Sequence, residues 1–323
     1  MGNGISILTH ADGDGMCAGA IALRRFPGAR VFFTKPVSLY SDLIETSDRK
    51  VIICDIAINS SDADRLKSAL SQKDVYFFDH HPLPKGTSKA DIKKVCSLFV
   101  HQEKISASEL IFRHYQKDLP REMIWPAIYG AISDYSDETA FIRKNIRSWD
   151  KRALYFEVAT LVMGIKNEHF SDYDTKRSII ATLSEGKNPT DVDGLVKSAK
   201  DAVKREFQLY GFVKRAARSL ENVGFVENIP FFGFRGAAAL FASNVTGKPV
   251  GLCIHDKGNH TDITMRSSTG GVPLNKLAEN AAVLAGGTGG GHSDAAGARI
   301  PKGAIERFIK KLNNELKRLM KKK

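Results

Sequence analysis

Short apolar runs that stop on acidic or histidine residues constrain this fold more than any other sequence feature. Residues 5–9 lead into His10-Ala11-Asp12-Gly13-Asp14-Gly15, and residues 51–54 lead into Asp55. Residues 75–78 lead into Asp79-His80-His81-Pro82. The runs are continuously apolar, not alternating, as expected of parallel strands buried on both faces. Strands are predicted at residues 5–9, 31–33, 51–55 and 75–79. Helices are predicted at 17–25 and at 60–71, the latter with Ser60 or Ser61 as N-cap. The alternation argues for an open, doubly wound α/β domain. Ligands of such sheets bind beyond the C-terminal strand ends, where the acidic and histidine clusters lie.

Residues 106–184 read as mostly helical. A long charged amphipathic helix is predicted at about 192–221. Beyond Gly224 the composition changes, with strands predicted at 226–234, 250–255 and 261–266. Lys257-Gly258-Asn259 is a hairpin-like turn between the last two. A glycine-rich loop covers 286–297, and a basic helix starts near Gly303. The expected division is a first domain over 1–190, a connecting helix over 191–222 and a smaller α/β domain over 223–323.

The 323 residues contain no apolar run near the ~20 residues of a membrane span and no signal-peptide pattern at the start. The four cysteines form no CxxC pair, which argues against a structural zinc site and a disulfide framework and favours a reducing cytoplasm. The net charge is +12, and the last twenty residues hold eight Lys or Arg against two Glu. From charge alone this end reads equally as a polyanion-binding surface or as a solvated helix with a frayed lysine tail.

In an extended turn, His10, Asp12 and Asp14 point the same way and converge. Two carboxylates and an imidazole gathered there call for a divalent cation, although the segment could instead be a polar turn that caps the next helix with an aspartate. Asp55 equally fits a helix cap. His80 and His81 are near neutral at pH 7 and suit metal ligation. Asp134 ends the helical run GAISD, with Asp137 and Glu138 as competing candidates. Mixed imidazole and carboxylate donors suit Mn2+ well, and Mg2+ or Zn2+ less so. The candidates are too many for one ion and fit two ions ~4 Å apart sharing a carboxylate.

The segments THADGDG, VIICD, FFDHHP and AISD resemble, in order, the four motifs of the DHH phosphoesterase superfamily. GGTGGGHSDAAG resembles the glycine-rich signature of its accessory DHHA1 domain. The resemblance implies that His10 and Asp12 hold one metal and Asp14 the other, while Asp55 bridges both. His80 and Asp134 would complete the second site. Asp79 would support the histidines, and His81 would contact the scissile phosphate or protonate the leaving group. Arg266 in MRSS matches an arginine that grips substrate phosphate. Gly289, Gly290, Gly291 and His292 match a loop that binds the substrate end.

Within the superfamily the short first motif resembles RecJ-type exonucleases, and the short archaeal RecJ-like proteins most. Bacterial RecJ-type enzymes carry Asp where this chain has His10. The function so implied is a two-ion Mn2+ exonuclease releasing mononucleotides from single-stranded DNA or RNA. The alternative is a nano-RNase or a hydrolase of small nucleotides such as pAp or cyclic dinucleotides; a non-catalytic nucleic-acid-binding scaffold is more remote. Implied partners are single strands or short oligonucleotides and a helicase or replication and repair protein, with no membrane. Monomer and homodimer are both compatible.

Overall fold

The computed structural model describes residues 2–167 and 172–320. The chain divides into two units, Met1–Asp201 and Ala202–Lys323. The first is built on five parallel strands, β1 (Gly2–Thr9), β2 (Arg30–Phe33), β3 (Asp48–Cys54), β4 (Asp74–Asp79) and β5 (Leu98–His101), in the order β2-β1-β3-β4-β5. Its helices are α1 (Gly13–Arg25), α2 (Leu39–Glu45), α3 (Ala63–Leu70), α4 (Lys89–Val95), α5 (Ala107–Tyr115), α6 (Ile124–Ser133), α7 (Ala140–Ile146), α8 (Lys151–Gly164) and α9 (Tyr173–Ser184). A 22-residue helix, α10 (Leu195–Ala216), links the units.

The continuous apolar runs divide their side chains between two cores. Ile7, Ile52 and Phe78 face a core completed by residues of α1, α5, α6 and α9. Their neighbours Leu8, Ile53 and Phe77 face the opposite core, with Leu39 and Leu43 of α2, Leu66 and Leu70 of α3 and Ile92 of α4. Burying both faces is what demands apolar residues at successive positions. Each such side chain contributes ~1.5–3 kcal/mol relative to exposure. The result is the predicted doubly wound, parallel architecture. The register aligns Thr9 with Cys54 and Cys54 with Phe78. His10, Asp55 and Asp79 therefore leave the sheet along one rim.

The first helix begins at Gly13, not residue 17, because Asp12 caps it by accepting the Gly15 N–H at 3.0 Å. Ser60 and Ser61 do not cap α3: Ser60–Asp62 is a 3-10 turn behind Asn59, whose side chain accepts the Ser61 N–H. Strand β5 was not anticipated; its four half-buried residues offer too short a signal.

The second unit comprises β6 (Arg218–Leu220), β7 (Val223–Glu227), α11 (Arg235–Thr246), β8 (Val250–Asp256), β9 (His260–Ser267), α12 (Leu274–Leu284), β10 (Thr288–Gly291), β11 (Ala295–Pro301) and α13 (Ile305–Met320). Its mixed sheet runs β10-β11-β9-β8-β7-β6. Only β7 and β8 pair in parallel. Leu277 and Ala281 of α12 pack with Phe308, Leu312 and Leu316 of α13 over this sheet. The predicted strand at 226–234 stops at Glu227: Asn228 has φ 45° and Pro230 has no N–H to donate to a ladder. The glycine-rich loop is instead the hairpin of β10 and β11. Lys321, Lys322 and Lys323 of the basic tail lie outside the described residues. Among the described residues, no helix is long and apolar enough to cross a membrane.

Candidate metal centre

The rim beyond β1, β3 and β4 gathers most of the predicted ligands. His10 Nδ1 lies 2.6 Å from Asp12 Oδ2 and 3.9 Å from Asp55 Oδ2. His80 Nε2 lies 3.2 Å from Asp55 Oδ1, 3.6 Å from Asp134 Oδ2 and 4.0 Å from Asp14 Oδ2. One oxygen of Asp55 thus faces His10 and the other faces His80. Two groups of ligand atoms, His10-Asp12-Asp55 and Asp14-Asp55-His80, are each compact enough to hold an ion, and Asp55 belongs to both. Asp55, Asp79 and His81 form a third such group.

The extended turn expected of THADGDG ends at Asp12, whose backbone is extended. Gly13 already begins α1, so Asp14 sits in the helix's first turn and points elsewhere than His10 and Asp12. Its carboxylate accepts the Ala107 N–H at 2.7 Å and the Ser108 N–H at 3.1 Å, at the N-terminus of α5. A helix N-terminus favours a buried anion. Asp12 combines capping with its place beside His10. Asp55 has φ 59°, a left-handed conformation that costs a non-glycine residue about 1–2 kcal/mol. Its N–H donates to the Phe78 carbonyl at 2.9 Å. Asp134 is the C-cap of α6.

Asp79 Oδ1 accepts from His81 Nδ1 at 2.8 Å, and its Oδ2 accepts the His81 N–H at 3.3 Å. His101 Nε2 donates to the His81 carbonyl at 2.7 Å. His101, Ser108 and Gly130 around the centre went unread in the sequence. The SASE pattern, a capping serine three residues before glutamate, was the available sign of the α5 N-terminus.

The charges are frustrated in the chain by itself. Burial raises Asp55 well above the usual carboxylate range, and Asp12 and Asp14 push it further. Burial also raises Asp14, and it lifts Asp134 to about 6 with Asp14 adding to the effect. Asp12 is the exception: burial raises it, but His10, the Gly15 N–H and Asp55 together more than offset this and leave it low. His10 is held up at about 9, chiefly by Asp12. Burial lowers His81, but Asp79 overrides this and brings it to about 8. Converging buried carboxylates and imidazoles are the donor set that a divalent cation neutralises. Burial keeps the nearby thiols of Cys17 and Cys54 protonated, leaving oxygen and imidazole donors. That set fits Mn2+ or Mg2+.

In the second unit, Arg266 on β9 pairs in register with Ala295 on β11. The Ala295 carbonyl accepts the His292 N–H at 2.8 Å, and Gly291 has φ 126°. Arg266 therefore adjoins the turn that carries His292.

The DHH family N-terminal domain matches residues 4–132, and the DHHA1 domain matches residues 235–318. No curated protein matches the chain in sequence. Solved structures share the fold at low identity, among them the following three. RecJ from Thermus thermophilus, in complex with Mn2+, has a TM-score of 0.68 and 18% identity over 97% of this chain and 52% of its own. This chain thus spans about half the length of that RecJ. The DHH domain of a protein described as belonging to a family of ribosomal proteins has a TM-score of 0.68 and 14% identity, covering 97% of this chain and 86% of its own. The pGpG-specific phosphodiesterase PggH from Vibrio cholerae has a TM-score of 0.57 and 15% identity, covering 97% and 99%. With its buried His and Asp clusters at the strand ends, the chain belongs to the DHH/DHHA1 phosphoesterases, hydrolases of phosphoester bonds.

Proposed function

We propose that the protein is a Mn2+-dependent exonuclease that hydrolyses single-stranded DNA or RNA to mononucleotides using two ions. The observation that carries the two-ion part is Asp55, whose oxygens face two separate ligand groups. In this reading His10 and Asp12 hold one ion, and Asp14, His80 and Asp134 hold the other. Two divalent ions held there would supply Lewis acidity toward the phosphate and make water a stronger acid. The chain's own residues do the rest. Asp79 orients His81, which passes a proton to the leaving oxygen as its P–O bond breaks, while a water oxygen bonds to phosphorus and gives up its proton to solvent. Arg266 grips a substrate phosphate with its planar fork, and Gly289, Gly290, Gly291 and His292 receive the strand end. The net charge of +12 supports a polyanionic substrate.

A specific observation favours a second reading. The chain spans nearly all of a dinucleotide phosphodiesterase but only half of a RecJ. A hydrolase of very short oligonucleotides or small nucleotides is therefore the alternative. Timed product analysis on 5′- and 3′-labelled DNA and RNA strands, beside a dinucleotide, with Mn2+ separates the two. Stepwise release of mononucleotides from long strands is expected; cleavage of the dinucleotide alone defeats the exonuclease reading.

A further inference from the structure

Asp14 is held differently from the other carboxylates of the centre. Each of its oxygens accepts a backbone N–H from the first turn of α5, at 2.7 Å from Ala107 and 3.1 Å from Ser108. The Ser108 hydroxyl also lies beside this carboxylate, its single proton shared between Asp14 and the Ala127 carbonyl. Ser108 Oγ is itself tied to the Ser106 hydroxyl at 3.1 Å and to the Ala127 carbonyl of α6 at 3.3 Å. Ser106 fixes the start of α5 by accepting the Glu109 N–H at 3.2 Å.

Helix α6 approaches the same pair. A methyl group on Gly130 would lie 2.1 Å from Ser108 Oγ and 2.6 Å from Asp14 Oδ1. Both distances are far inside van der Waals contact, so only bare backbone fits. Asp14 is clamped between the N–H groups of one helix and the unsubstituted Cα of another. Both its oxygens are engaged, which fixes the plane of the carboxylate. A carboxylate so fixed offers one edge to the space it shares with His80 and Asp55.

We propose that Ser108 and Gly130 are positioning residues that hold Asp14 in the orientation needed to ligate one of the two ions. This rests on the two-ion reading above. Neither residue touches substrate or ion; each acts through Asp14. Outer partners of this kind typically control ten- to a hundredfold in metal affinity, about the range expected here. The effect is local: the ion held by His10 and Asp12 does not depend on the clamp.

The test is calorimetric titration of Mn2+ into the metal-free full-length protein, wild type against Ser108→Ala and Gly130→Ala. Metal-free melting midpoints of each variant are measured alongside. Wild type is expected to bind two equivalents. Ser108→Ala weakens one of them about tenfold and leaves the other within about twofold. Gly130→Ala weakens the same equivalent by at least as much. Wild-type affinity for both equivalents in Ser108→Ala overturns the proposal, and so does equal weakening of both. If Gly130→Ala loses its melting transition, Ser108→Ala alone decides. A wild-type protein that binds fewer than two equivalents defeats the two-ion reading itself, an outcome distinct from failure of the clamp.

Discussion

Asp79 and His81 are joined across one intervening residue by the 2.8 Å bond from His81 Nδ1 to Asp79 Oδ1. That bond decides which ring nitrogen faces Asp79 and turns Nε2 away from it. Loss of the imidazole in His81→Ala should lower kcat by about 10²–10⁴-fold, the range of a lost general acid. Mn2+ stoichiometry should stay at the wild-type value. Steady-state kinetics combined with metal titration checks both; a variant that loses metal along with rate would make His81 a ligand instead.

Asp55→Asn separates charge from backbone. Asparagine accepts the left-handed conformation that Asp55 adopts, so the variant keeps its fold. Without the shared carboxylate, Mn2+ affinity should fall about a hundredfold or more, at least the upper end of what a lost outer partner costs. Hydrolysis should be abolished. Unchanged turnover would sink the two-ion mechanism.

Stability of the metal-free protein should fall as pH rises from 6 to 9. His10 at about 9 and His81 at about 8 lie above their ordinary 6.5, and Asp134 at about 6 lies above its ordinary 3.8. All three values are raised on folding, so folding favours the protonated forms. The Asp134 contribution is lost as pH passes through about 6, and those of the histidines as it passes through about 8 to 9. With Mn2+ the trend should reverse, because cations bind the deprotonated groups. Melting curves in chelator and in Mn2+ across this range decide; a metal-free midpoint that climbs with pH refutes the assignment.

Arg266→Ala should raise KM about 10–100-fold with a smaller change in kcat, the worth of a charge-assisted phosphate contact. Arg266→Lys should not restore it, since an ammonium lacks the planar fork. Equal kinetics for the lysine variant and wild type would show that only charge matters.

Gly251 permits α11 to lie against β8. A methyl there would sit 1.8 Å from the Ala239 carbonyl oxygen. Gly251→Ala should cost about 1–3 kcal/mol of stability, the usual penalty of overpacking. Denaturant unfolding measures it, and an unchanged midpoint would show that the helix shifts freely.

The parallel sheet was legible because burial on both faces leaves continuous apolar runs, as in Val51–Ile52–Ile53. His10, Asp55 and His80 were legible because each stands at or just beyond the end of such a run, whereas Asp134 ends a helix and was legible only through the order of the family's motifs. Ser108 and Gly130 were not, since their relation to Asp14 spans more than ninety residues and involves backbone groups that any sequence has. The left-handed turn at Asp55 was hidden for a similar reason: aspartate tolerates that conformation without requiring it. The strand predicted at 226–234 failed because apolar composition outweighed Pro230, whose missing N–H should have ended it.

The order of the sheet also bears on folding kinetics. Neighbouring strands β1, β3 and β4 bring residues 10, 55 and 80 together, and α6 adds residue 134. These pairings are long-range, so the ligand groups converge only after most of the first unit has formed. A cation that needs all of them stabilises the finished state and little that precedes it. Mn2+ should therefore slow unfolding while leaving the refolding rate nearly unchanged, making the ion a guard against escape from the native state.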